Sequence, residues 1–88
     1  MRLRVRMFGV KSLKEKRSLM RRLLNDIRKK YNVSISEVDL NDSKVYMDLA
    51  VAMVSKDSSL IDRVFDSVVN YIEIYGGMEL EDVEREVW

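Results

Sequence analysis

The sequence predicts an α+β architecture, a four-stranded antiparallel sheet with two helices packed on one of its faces. Three observations lead there. Apolar residues alternate at period two in four short segments, near 2–8, 33–39, 44–55 and 78–88. They recur at helical spacing in two longer ones, near 13–31 and 58–75. Turn formers fall at the junctions: Gly9, Asn32, "LNDS" at 40–43 and Gly76-Gly77.

The first strand sets Leu3, Val5 and Met7 on one face and Arg2, Arg4, Arg6 and Phe8 on the other. Ser12-Leu13-Lys14-Glu15 then fits a capping box, in which hydroxyl and carboxylate each take a free backbone N–H. The helix it opens runs from Leu13 to about Tyr31, with Leu13, Met20, Leu23, Leu24, Ile27 and Tyr31 on one arc. Lys14, Arg17, Arg21 and Arg28 form a stripe opposite, flanked by Arg22 and Lys29. Lys16 falls toward the apolar arc one turn in, where a long stem is expected to snorkel past the edge of the core.

"VSISEVD" (33–39) reads as the second strand, Val33 and Ile35 inward. "KVYMDLAVAMVS" (44–55) is the third, with Met47, Leu49, Val51 and Met53 toward the core. Its other face carries Tyr46, Asp48, Ala50, Ala52 and Val54. The second helix begins at Asp57-Ser58-Ser59, with Ser59 and Asp62 spaced as a further capping box, and buries Ile61, Val64, Phe65, Val68, Ile72 and Tyr75. Gly76-Gly77 stops it. In "MELEDVEREVW" (78–88) the apolar positions Met78, Leu80, Val83 and Val87 slip near Glu81-Asp82, which predicts a bulge. The order β-α-β-β-α-β, with both helices on one face, is the ferredoxin-like split βαβ arrangement, expected as a single domain over 1–88.

Composition narrows the function classes. At 47% hydrophobic and 35% charged, the 88 residues can build one small core with a solvated surface. With no cysteine and no histidine, disulfides, thiol chemistry, Cys/His zinc sites and His-based catalysis are excluded. No cofactor is implied, and no Gly-rich phosphate loop is present. No apolar run approaches the roughly 18 residues of a membrane span. The alternating "MRLRVRMF" is unlike a secretion signal, so a cytoplasmic location is expected.

The overall charge of +1 hides a sharp split. Residues 1–31 hold twelve Lys/Arg and two acids, a net of +10, and residues 32–88 hold four against thirteen, a net of −9. Such asymmetry points to an anionic partner, or to halves that neutralise each other on folding.

Four words spread along the chain, "SLKEKR", "YNVSISEVD", "AVAMVSKD" and "DVEREV", resemble the YlxP-like family of small bacterial proteins. The residues that carry the resemblance are Ser12, Leu13, Lys14, Lys16 and Arg17, then Val33, Ser34, Glu37, Val38 and Asp39, then Asp82, Val83, Glu84 and Arg85. "SKVYMD" departs from the pattern. The resemblance implies a ferredoxin-like fold and a largely unassigned activity. The family's gene neighbours, translation-initiation and ribosome-maturation factors, imply work near RNA or ribosomes.

The basic helix is the leading candidate site. Acids are favoured near a helix N-terminus, yet Lys11, Lys14, Lys16 and Arg17 crowd this one against Glu15 alone. An anion held there by Lys11, Lys14 and Arg17, with Arg21, Arg22, Arg28 and Lys29 extending the stripe along a phosphate backbone, would account for that. The structural alternative is a solvated face whose side chains find acidic neighbours. On the open sheet face, Arg2, Arg4 and Arg6 are expected to meet Glu79, Glu84 or Glu86 of the last strand. Phe8 and Tyr46 are expected near opposite ends of parallel neighbours, which leaves no shared stacking platform for RNA bases. Ala50 and Ala52 leave a low spot that a second copy could cover. "EVDLNDSK" starts like a calcium loop but has Lys44 and Ala50 where glycine and glutamate are needed, so it reads as a turn. The carboxylate pairs Glu81/Asp82 and Glu84/Glu86 have no nucleophile or cofactor motif beside them, so no catalytic residue is assigned.

The expected function is a non-enzymatic binding protein docking on structured RNA or a ribosomal particle. The alternative is a protein-interaction module or homodimer with complementary charged halves. Neither a membrane nor a small-molecule substrate is indicated.

Overall fold

The structure, a computed structural model, describes residues 1–86. It comprises β1 (Arg2–Met7), α1 (Leu13–Lys30), β2 (Ser34–Asp39), β3 (Tyr46–Ala52), α2 (Ser58–Ile74) and β4 (Met78–Glu84). The strands form one sheet in the order β2-β3-β1-β4 with every neighbouring pair antiparallel, the ferredoxin-like topology. Helix α1 packs on β2, α2 packs on β4, and the helices touch each other.

Alternation does the sorting. In β1, Leu3, Val5 and Met7 are buried while Arg2, Arg4 and Arg6 stay exposed. From β3 come Met47, Leu49 and Val51, and from the helices Leu23, Leu24, Ile27, Phe65, Val68 and Ile72. Burying each such side chain contributes about 1.5–3 kcal/mol before chain entropy is set against it. Leu19, Val69 and Tyr71 pack at the edge of this core, beyond the arcs expected for the two helices.

The slip in the last strand is a bulge: Arg4 pairs with Asp82 and Val5 with Leu80, leaving Glu81 as the extra residue. Val87, the last apolar position expected for that strand, lies outside the described residues. A second bulge was not expected. Glu37 pairs with Leu49 and Asp39 with Asp48, so Val38 is extra and Asp39 returns to the open face.

Two local expectations are corrected. The cap of α2 is Asp57, whose carboxylate accepts from the N–H groups of Ser59 and Leu60 at 2.9 and 3.3 Å, not Ser59. An ionised acceptor suits the positive helix end better than a hydroxyl. Phe8 and Tyr46 lie at the same end of the sheet, because β1 and β3 are antiparallel and Tyr46 pairs with Arg6.

Candidate functional site

The first turn of α1 is capped by Ser12, whose Oγ accepts from Glu15 N–H at 3.1 Å. The Glu15 carboxylate accepts from the backbone N–H of Lys11 at 3.3 Å, one residue upstream of the capping-box position. Glu15 is the one acid in this turn, and its backward reach leaves the outward cations uncompensated. Lys11, Lys14, Arg17, Arg21, Arg22 and Lys29 are all exposed. Among the described residues, no carboxylate oxygen lies within 4.0 Å of their side-chain nitrogens. Asp26, the helix's other acid, accepts from the Tyr71 hydroxyl at 3.4 Å instead.

Two members of the expected basic face are committed elsewhere. Arg28 donates through Nη2 to the carbonyl of Ile35 at 2.6 Å and through Nη1 to Asn25 Oδ1 at 3.4 Å, fastening the end of α1 to β2. Lys16 does not snorkel and cannot touch an external partner, because it is completely buried. Its Nζ donates to the carbonyls of Leu40 at 2.7 Å and Tyr46 at 2.9 Å, and Glu37 Oε2 lies 3.0 Å away. That oxygen sits at ion-pair distance but off the line of a hydrogen bond, so the two carbonyls carry the directional bonds. Leu40 holds φ +62°, the left-handed conformation, at the turn that brings its carbonyl to the ammonium. A buried ammonium survives only with such full compensation. The sequence did carry the signal: counting on from Val33 and Ile35, Glu37 also points inward, an acid of opposite sign beside a misplaced lysine.

On the open face the arginines find a different acid from those expected. Arg4 grips Asp48 with Nε to Oδ1 at 2.9 Å and Nη2 to Oδ2 at 3.2 Å, and Arg2 Nη2 reaches Oδ2 at 3.0 Å. Asp39 lies 3.7 Å from Arg2. Glu79, Glu84 and Glu86 make no such contact. Asp48 stands directly opposite Arg4 on a central strand and is 2% exposed, covered on the open face by the two half-exposed arginines it binds. The Arg4 hydrogen bond, helped by Arg2 and opposed by burial, holds its carboxyl below the usual range.

The polar turn between β2 and β3 works as a turn. Asp39 Oδ1 accepts from Leu40 N–H at 2.8 Å, and Ser43 Oγ accepts from the N–H groups of Val45 and Tyr46 at 3.2 and 3.0 Å. No helix among the described residues is long and apolar enough to cross a membrane.

Comparison with known proteins places this architecture. The model of a family of proteins of unknown function, DUF503, matches residues 1–85. The chain belongs to the DUF503 family. It is also similar to the uncharacterized protein YlxP of Bacillus subtilis (strain 168), with 31% identity over 77 residues covering 88% of this chain and 83% of the relative. In this DUF503 chain, four of the eight charged residues that carry the YlxP-like resemblance have internal partners. Lys16 meets Glu37, Asp39 meets Arg2, and Arg85 binds Asp66 at 2.6 Å with Asp62 at 3.9 Å, tying the end of β4 to α2. Lys14, Arg17, Asp82 and Glu84 have no such partner among the described residues.

Proposed function

We propose that this DUF503 protein is a binding protein, not an enzyme, that docks on the phosphate backbone of structured RNA, free or in a ribosomal particle. Lys14, Arg17 and Arg21 form the centre of the contact, with Lys11, Arg22 and Lys29 beside them. One observation carries the reading: these cations stay exposed and without a carboxylate partner among the described residues, although the chain carries fifteen acids. The helix N-terminus adds its own positive potential to theirs. Recognition by backbone contacts predicts dependence on shape and salt with little dependence on base sequence.

A fluorescent RNA hairpin titrated with the protein tests this. With about four phosphate contacts, affinity falls roughly a hundredfold between 50 and 200 mM salt. Lys14→Glu/Arg17→Glu/Arg21→Glu removes the binding. Affinity unchanged across that salt range, or retained by the triple variant, overturns the reading.

A second reading has its own observation. Glu79, Asp82 and Glu84 of β4 make no ion pair among the described residues, so an acidic edge stands apart from the basic helix. Glu84 also lines a concavity of about 730 Å³ together with Ser34, Ser36, Ala50 and Ala52 of the sheet and Phe65 of α2. A second copy would fit there with opposite charges facing. Sedimentation equilibrium of wild type and triple variant separates the readings, since a complementary homodimer dissociates in the variant and an RNA-docking monomer does not change.

A further inference from the structure

The third arginine of β1 differs from the other two. Arg2 and Arg4 share Asp48, but among the described residues Arg6 has no carboxylate within 4.0 Å, although Glu79 is its register partner on β4. Its guanidinium lies 5.1 Å from the centroid of the Phe8 ring instead. Phe8 is 50% exposed. Tyr46 stands opposite Arg6 on β3, so one end of the open face presents Phe8, Arg6 and Tyr46 together. The backbone beneath is fixed on both sides, with Met7 N–H donating to Val45 O at 2.6 Å and Phe8 N–H to Gly77 O at 2.9 Å.

We infer that Phe8, Arg6 and Tyr46 form a stacking platform for an unpaired nucleobase, which makes the partner an RNA with a single-stranded nucleotide flanking its folded part. This rests on the RNA reading above and deepens it. Bases stack on aromatic rings and on guanidinium planes, and here the two kinds of surface adjoin. Stacking tolerates any base because each has a π face, consistent with backbone recognition elsewhere. Phosphates go to α1, whose first turn follows β1 directly through Gly9–Ser12 at the same end of the sheet.

The test compares a blunt RNA duplex with the same duplex carrying a single-stranded overhang that contains 2-aminopurine. For wild type the overhang strengthens binding and stacking quenches the fluorophore. Phe8→Ala weakens overhang binding about five- to a hundredfold, to the level of the blunt duplex. Phe8→Tyr restores it. Phe8 is half exposed, and an unchanged thermal melt shows that Phe8→Ala remains folded. If wild type binds both RNAs equally, or Phe8→Ala weakens both equally, the platform is overturned while the basic-face reading stands. If wild type binds neither RNA at low salt, both fall.

Discussion

Strand β1 and helix α1 are the two most basic elements of the molecule, and they treat their charge in opposite ways. On β1, Arg2 and Arg4 converge on Asp48, an acid so enclosed that it is 2% exposed. On α1, Lys14, Arg17 and Arg21 face outward with no carboxylate in reach among the described residues. Strand β2, against which α1 packs, does hold acids, but Glu37 turns inward to Lys16 and Asp39 turns to the open face and Arg2. Its bulge at Val38 produces that division. Between these elements the enclosed charges, Lys16 and Asp48, are matched because an unmatched buried charge is costly, while the water-facing cations of α1 are left alone. A net charge near zero therefore says little about local potential.

The comparison is broken most severely at Lys16, the α1 cation treated as β1 treats its own. Glu37→Leu leaves a buried ammonium without its counter-ion and is expected to cost about 3–5 kcal/mol, measured as a lower urea midpoint with an unchanged slope. Lys16→Met/Glu37→Leu removes both charges and is expected to recover most of that loss. Near wild-type stability of the single variant would mean that the Leu40 and Tyr46 carbonyls alone compensate the lysine.

Asp48 gives a smaller effect with a pH signature. Asp48→Asn keeps the shape but removes the charge that Arg2 and Arg4 share, at a cost of about 1–2 kcal/mol near neutral pH. Arg4's hydrogen bond lowers the folded-state pKa of Asp48, so its contribution is complete above the ordinary carboxylate range and is lost as pH falls through the folded value. The stability gap between wild type and Asp48→Asn should stay flat from about pH 5 to 8 and close below about pH 4. A gap that widened on acidification would refute this assignment.

Element order was legible because each segment carries an unambiguous period, two in "RLRVRM" and near 3.6 in "LKEKRSLMRRLLNDIRKK". The slip at Glu81 was legible for the same reason, as a break in alternation. The place of Lys16 is not legible from its own helix, because what holds it is Glu37 at an inward position on the strand opposite. The β1 arginines have carboxylates on both neighbouring strands, and the sequence alone does not rank the β4 glutamates below Asp48, which register sets directly opposite Arg4. The closeness of Phe8 and Tyr46 depends on strand direction, since parallel β1 and β3 would set them at opposite ends and the antiparallel pairing brings them to one. Strand direction follows from topology, not from composition.

The smallest expected effect is the sharpest test of why α1 begins with cations. Lys14 lies in the first turn, where the dipole disfavours it, and no carboxylate among the described residues pairs with it. Lys14→Glu should therefore raise stability by about 0.3–1 kcal/mol at low salt, a gain that shrinks as salt is added. The same variant should bind the RNA hairpin more weakly. Opposite signs in the two measurements would mean that the helix keeps an unfavourable residue for the sake of its partner. A loss of stability would instead assign Lys14 an internal role that its exposed, unpaired position does not reveal.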